Sequence, residues 1–179
     1  EPLVNYTTPG DGDYYLLPKA NNRETVLEPY IYKVAGKDVL MTSLVVPIQD
    51  REGQFLGVAG VDLPLITLSE SLKHAKIGQT GYAALVSNGG QYVAHPNASR
   101  LGKPMVASDP WFEAHLNQVK SGEAFTTQTF SKTLNDMTFR MGSVVSIGQS
   151  TTPWSVITTS RESEVLAPAV AMRNLLLVI

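Results

Sequence analysis

The chain has 179 residues, 43% of them apolar and 17% charged, with 14 Lys and Arg against 16 Asp and Glu and no cysteine. That length and apolar content are enough for one large core or two small ones. A net charge of −2 and a pI near 5.9 supply no basic field for nucleic acid, so that partner class is excluded. The lack of cysteine suits a periplasmic domain that avoids stray disulfides.

The first strong signal runs from Glu28 to Asp62. β-Branched and aromatic residues are dense there, and Ala35-Gly36-Lys37-Asp38 and Asp50-Arg51-Glu52-Gly53 interrupt them as turns, which predicts three strands joined by two tight connections. Between Pro64 and Gly78, Leu65, Leu68, Leu72 and Ala75 recur at roughly helical spacing, and Pro64 suits a first helical turn. A second run from Gly81 to Pro96 reads as two apolar strands around Asn88-Gly89, the strongest short hairpin signal. It echoes the strand, polar turn, Gly, strand layout of Val45 to Val61, consistent with a duplicated sheet.

A helix is expected next from Ser108 or Asp109 to Lys120, because Ser108 precedes Asp-Pro-Trp-Phe-Glu with a cap, a proline and an early acid. Three more strands follow near Ala124–Phe130, Thr138–Ile147 and Trp154–Thr159, and a last helix begins near Arg161. It reaches the apolar run Leu175–Ile179, five residues where a membrane span needs about 20; we read this as the foot of a transmembrane helix. Helix and sheet alternate as in two stacked α+β modules.

The Glu28–Asp62 pattern resembles the ligand-binding module of the double Cache family, the extracytoplasmic sensor domains of bacterial chemoreceptors, sensor kinases and cyclic-dinucleotide enzymes. Gly57, Gly60 and Asp62 match its Gly-x-x-Gly-x-Asp strand, whose Asp contacts the ligand's amino group, and Pro29-Tyr30 match its Pro-Tyr. An acid often found two residues after that Pro-Tyr is replaced by Tyr32. The upstream Arg-x-Trp-Tyr has its best match in Gly12-Asp13-Tyr14-Tyr15, which lacks the Arg that would hold an α-carboxylate in a charge-assisted fork.

The resemblance implies an α+β fold of two PAS-like antiparallel-sheet modules linked by a helix. The divisions are a membrane-distal module over 1–63, a connector helix over 64–77, a membrane-proximal module over 78–160 and a terminal helix over 161–179. It also implies a long first helix and first strands in the distal module, which nothing before Glu1 supplies: either they are left out or removed, or the distal sheet is built differently, and without them an apolar sheet face is expected to lie uncovered.

The candidate site gathers four of the chain's seven tyrosines, Tyr14, Tyr15, Tyr30 and Tyr32, with Asp62 in an aromatic box for a cation. Glu28, Asp11 and Asp13 add negative charge, and Thr42 and Met41 are candidates for the pocket floor, with core packing the better role for Met41. The structural alternative is that strand tyrosines simply fill half-buried sheet faces.

His74, His95 and His115 stand at no metal-ligand spacing, so no metal site is expected, and His95 before Pro96 is read as a structural hydrogen-bonding residue. No Gly-x-Ser-x-Gly elbow, phosphate loop or dinucleotide fingerprint is present, and neither catalysis nor a cofactor is expected. The expected function is an extracytoplasmic sensor of a small molecule, an amine or amino compound, in a bacterial chemoreceptor. Its partners would be the membrane, through flanking spans, and a second copy in a homodimer. A histidine kinase, a diguanylate cyclase or a secreted binding module are the other settings for such a domain.

Overall fold

The computed structural model describes residues 5–131 and 134–176. The first sheet is a meander of three long antiparallel stretches. Strands β1 (Thr25–Val26) and β2 (Tyr30–Val34) lie end to end along one edge of β3 (Lys37–Gln49), and β4 (Phe55–Pro64) pairs along its other edge. The break between β1 and β2 falls at Glu28-Pro29, where proline cannot donate a ladder hydrogen bond.

Both expected turns are present, and each has its own chemistry. Ala35 and Gly36 take φ of 48° and 80°, the two left-handed residues of the two-residue hairpin that matches strand twist. In the second turn the Asp50 carboxylate accepts from the amides of Glu52 and Gln54 at 2.9 and 2.8 Å, and Gly53 supplies a φ of 82°.

Side chains alternate across a strand, so the register divides this sheet into two faces. Tyr30 opposite Met41, Ser43 opposite Asp62 and Val45 opposite Gly60 share one face. Leu40, Thr42 and Leu44 point to the other, which is buried at its centre and exposed toward one end at Val46, Ile48 and Val61.

An element that the sequence reading did not foresee covers part of the first face: helix α1 (Asp13–Asn21), which contacts β3 and β4. It places Tyr14 and Tyr15 on a helix rather than in strands. Its signals are weak, an acid in the first turn, Lys19 in the last, a left-handed Asn22 as stop and a proline inside. Gly12 ahead of it is fixed by close approach, since a Cβ there would lie 2.6 Å from the Asn5 carbonyl oxygen.

Helix α2 (Leu65–Leu72) follows β4 directly and leads to the second sheet, five antiparallel strands in the order β6-β5-β9-β8-β7. These are β5 (Tyr82–Val86), β6 (Tyr92–Ala94), β7 (Phe125–Ser131), β8 (Asp136–Val145) and β9 (Trp154–Arg161). The Asn88-Gly89 hairpin forms one residue out of step with expectation. Gly90 carries the positive φ of 85°, while the Asn88 amide is drawn off to the carbonyls of Lys120 and Pro153 at 3.0 and 3.2 Å.

The expected helix from Ser108 to Lys120 is segmented into α3 (Met105–Ser108), a 3-10 stretch (Pro110–His115) and α4 (Leu116–Ser121). Ser108 does not cap it. Asp109 is turned inward, where its carboxylate accepts from Tyr92 at 2.7 Å, from Ser108 at 3.0 Å and from the Trp111 indole at 3.2 Å and pairs with Arg100, so these side chains serve the interior instead.

The second sheet is packed on both faces over β5, β6 and β9, while its β7–β8 side leaves Phe130 and Met141 exposed. Ala84, Val86, Tyr92 and Ile157 pack under these helices with Phe112, Val119 and Phe125. On the opposite side Val93 and Trp154 join Val26 and Leu65 in a cluster that also takes in Leu40, Leu44, Leu68, Leu85 and Ile147. The two modules therefore share a core, reached from the first sheet by the face opposite Ser43 and Asp62. Helix α5 (Glu162–Leu176) has no buried residue in its described part; Glu164 ties it to the 79–80 loop by accepting from the Gln79 amide at 2.9 Å and from the Thr80 hydroxyl.

Candidate functional site

Between α1 and the first sheet lies a cavity of about 240 Å³ lined by Tyr14, Tyr30, Tyr32, Ser43, Val45, Val58, Gly60 and Asp62. Three strands and one helix build it: Tyr30 and Tyr32 from β2, Ser43 and Val45 from β3, Val58, Gly60 and Asp62 from β4, and Tyr14 from α1. Gly60 keeps the floor open. A Cβ there would come within 3.2 Å of both the Leu44 carbonyl and a Val45 methyl, whereas one at Gly57 would meet nothing within 4 Å.

A short polar chain crosses the floor. Ser43 donates to Asp62 Oδ1 at 2.6 Å, and the Tyr30 hydroxyl lies 2.5 Å from Ser43 Oγ. With Ser43 committed to the carboxylate, Tyr30 is the donor to Ser43. This order points hydroxyl hydrogens toward Asp62. Burial raises the Tyr30 pKa, against the lowering effect of the Ser43 hydrogen bond and with a further push from Asp62; the phenol stays protonated at neutral pH. Tyr14 is also shifted up, by burial first and then by Tyr32 and Tyr6. Asp62 itself is exposed, so its charge is open to a ligand.

The other candidates divide. Glu28 and Asp13 line a larger neighbouring cavity of about 480 Å³, with Asp11, Tyr14, Tyr30, Tyr32, Ile31, Leu17 and Thr152. Tyr15 faces neither cavity; its ring packs edge-on against Tyr6 and Phe55 at 5.6 and 5.4 Å, with Lys19 over it, so it is a packing residue that holds α1 on the sheet. Thr42 is also displaced from the floor. It sits one residue from Ser43 and hence on the opposite face, fully buried, with its hydroxyl donating to the Leu27 carbonyl at 2.6 Å. Met41 is buried, 2% exposed, and does not line the cavity.

His95 is 6% exposed between Tyr82 and Tyr92, with Nδ1 accepting from the Asn97 amide at 2.8 Å. Burial first, then the Arg100 charge, lowers its pKa to about 4, so it is neutral at neutral pH. Among the described residues no group of three His, Cys, Asp or Glu is placed to hold a metal ion.

The sequence model of the Cache domain, in its double Cache form, matches residues 3–169. The chain belongs to the double Cache family. The methyl-accepting chemotaxis protein TlpQ of Pseudomonas aeruginosa is 29% identical over 168 residues, which are 90% of this chain and 22% of TlpQ. Among solved structures, the extracellular domain of the histidine kinase mmHK1S-Z3 superposes with a TM-score of 0.79 at 29% identity, covering 95% of this chain and 59% of that one. The ligand-binding domain of the P. aeruginosa amino acid chemoreceptor PctB, solved with L-Arg, has the same fold, with a TM-score of 0.63 at 22% identity over 90% of this chain and 59% of that one. The chain thus spans about a fifth of TlpQ and about three fifths of the solved sensor domains it resembles. Among the described residues no helix is long and apolar enough to cross a membrane.

Proposed function

We propose that this chain is the ligand-binding part of a bacterial transmembrane chemoreceptor, lies on the periplasmic side of the inner membrane, performs no catalysis, and binds a small organic cation, an amine or amino compound, on Asp62. The observation that carries the ligand class is the lining of the 240 Å³ cavity: three tyrosines and a carboxylate, with no Lys, Arg or His among the described residues that form it. An ammonium group placed there gains an ion pair with Asp62 and the negative faces of aromatic rings. A plain α-amino acid would bring a carboxylate that no cation of the cavity meets, which argues for an amine without one. PctB is described with L-Arg, so an amino group is within the chemistry of the fold.

In this reading Asp62, Tyr30, Tyr14 and Tyr32 contact the ligand, Ser43 orients Asp62, and the receptor acts as a homodimer. The chemoreceptor setting follows from TlpQ, to which nearly the whole chain aligns. The structural match to mmHK1S-Z3 favours a second setting, the same sensor on a histidine kinase. Joining this domain to the signalling half of a chemoreceptor of known output, and following swimming bias in amine gradients, separates the two. For the ligand class, a thermal-shift panel of amines, amino acids and organic acids is the direct test. A ligand at 100 times its dissociation constant stabilises by about 2.7 kcal/mol. Amines should raise the melting temperature; a panel in which only organic acids do so overturns the charge argument.

A further inference from the structure

Helix α5 carries the chain out of the second module, yet no core holds it: it has no buried residue, and Val165, Leu166, Val170 and Met172 are exposed. Its start is fixed by hydrogen bonds instead. It follows β9 without a loop, and its first three residues each bind a different element. Glu162 accepts from the Gln128 side chain of β7 at 2.8 Å, Ser163 donates to Asp136 of β8 at 2.7 Å, and Glu164 holds the loop that follows α2. The first two contacts stay within the helix's own module. Of the three, only the last reaches chain that arrives from the first module.

That loop is shaped to meet Glu164. An isolated bridge between Ile77 and Gly81 closes it. Glu164 Oε2 accepts from the Gln79 amide at 2.9 Å and from the Thr80 amide at 3.4 Å, and Oε1 accepts from the Thr80 hydroxyl. Gly78 has a φ of 62°, and a Cβ there would lie 2.6 Å from the same Oε2, so the carboxylate sits directly against the backbone. These bonds, the Thr80 hydroxyl first and the Gln79 amide next, hold the Glu164 carboxyl below the ordinary carboxylate range and keep it charged at neutral pH. The other end of the connection is fixed as well. Helix α2 begins three residues after Asp62 with Leu65, fully buried in the shared core, and its buried Ser69 accepts from the His95 amide at 3.3 Å.

Building on the reading of this chain as the sensor of a transmembrane receptor, we propose that Glu164 is a clasp between α2 and α5, and that it makes the first turn of α5 follow the end of α2. A displacement of β4 then reaches α5 by two routes. One crosses the shared core and the second sheet. The other runs along the chain from β4 through α2 to the 77–81 loop and passes to α5 at Glu164 without entering the sheet. Because α5 buries no apolar residue, the polar contacts of its first turn set its direction, and charge-assisted bonds to a carboxylate are the strong ones among such contacts. Glu164 is a positioning residue, outside both cavities, that acts on the helix through the loop.

The chain has no cysteine, so engineered cysteines carry spin labels at chosen positions alone. Pulsed electron resonance on the ligand-free domain measures the distance between Thr67→Cys on α2 and Ala171→Cys on α5 and, as a control, between Thr67→Cys and Thr126→Cys on β7; all three positions are exposed. The native background should give one narrow α2–α5 distance. Glu164→Ala should lose it to a broad distribution while the α2–β7 distance stays narrow. Glu164→Gln should keep the narrow α2–α5 distance, since its side-chain oxygen accepts from the Gln79 amide and its NH2 donates to the Thr80 hydroxyl oxygen. In Glu164→Ala the Gln79 amide should also exchange about tenfold or more faster, through loss of a bond to a charged acceptor. A narrow α2–α5 distance in Glu164→Ala would overturn the clasp, and so would a Glu164→Gln protein as broad as Glu164→Ala. Broadening of the α2–β7 distance as well would mean that Glu164 holds the modules together and not the helix, which also overturns it. No ligand enters this experiment, so a failed amine panel leaves the clasp standing and a failed clasp leaves the amine reading standing.

Discussion

Replacing Asp62 with Asn removes one charge from an exposed carboxylate and keeps its shape, so the effect on ligand can be separated from the effect on fold. In the absence of ligand the side chain accepts from Ser43 at 2.6 Å. An Asn can accept the same bond, and the loss in folding stability should stay within about 1 kcal/mol. The ammonium ion pair is another matter. Two unit charges 4 Å apart at the edge of a protein interact by about 4 kcal/mol at an effective dielectric constant of 20. Desolvation of the ammonium and salt screening reduce that, leaving about 2–3 kcal/mol, the range of a hydrogen bond to a charged group. Affinity for the best amine should therefore fall about 30- to 150-fold, with unchanged stoichiometry and a weaker dependence on salt. Calorimetry at low and physiological ionic strength measures both, and urea unfolding reports the fold. An Asp62→Asn protein that is fully folded and binds amines within threefold of the native affinity would refute the reasoning at its central residue.

Three other outcomes follow from the geometry. His95 has a folded pKa of about 4 against an ordinary value of 6.5, so the unfolded chain takes up a proton first as pH falls; stability should be full above about pH 6.5, decline between 6.5 and 4 and level off below. After a discount for solvent screening the decline attributable to this residue is about 1–2 kcal/mol, and urea midpoints at pH 7 and 4.5 should differ less in His95→Asn than in the native chain. Arg140, 3% exposed, donates to Thr129 Oγ1 at 2.9 Å and Thr159 Oγ1 at 3.2 Å and stacks its guanidinium 4.7 Å over Trp111. Arg140→Ala should cost about 3–5 kcal/mol through the lost contacts and the space left behind, Arg140→Met about half of that, and a cost below 1 kcal/mol for Ala on urea unfolding would contradict this account. Leu44→Ala, which thins the shared core on the face opposite Ser43, should leave amine affinity within a few-fold while reducing ligand-dependent changes in hydrogen exchange over Trp154–Arg161.

How much of this was legible in the sequence depends on how local each cause is. The hairpins at Ala35-Gly36 and Asp50–Gly53 are written in residues that tolerate positive φ or bond their own backbone, so they could be read directly. Helix α1 was missed because its stop is an Asn rather than a Gly, its cap is a glycine, and a proline interrupts its apolar pattern. Thr42 was misassigned to the pocket floor by a single register step: strand membership was clear, but which face was wet depended on where α1 lay. Tyr15 was grouped with its neighbour Tyr14, yet adjacent residues on a helix point about 100° apart, and only one of the two reaches the cavity. Glu28 could not be placed at all from sequence, because its partners Ser87 and Gly89 lie about 60 residues away in a separate sheet.

The same alternation that separates Ser43 from Leu44 gives the proposed sensor a route for its signal. A ligand can shift an equilibrium only by binding one arrangement better than another, so whatever moves at Asp62 must be mechanically tied to the joint. β3 makes that tie within consecutive residues: Ser43 holds the carboxylate on one face, while Leu40 and Leu44 on the other are packed into the core shared with Trp154 and Val93. β4 makes it again, since Asp62 is three residues ahead of Leu65, the fully buried first residue of α2 in that same core. A shift of either strand that optimises the ion pair therefore displaces apolar side chains in a close-packed cluster, and such clusters settle into discrete arrangements instead of deforming smoothly. Glu28 and Glu24 span the joint as well, the latter accepting from the Gln149 amide at 2.7 Å. They are polar ties across an apolar seam.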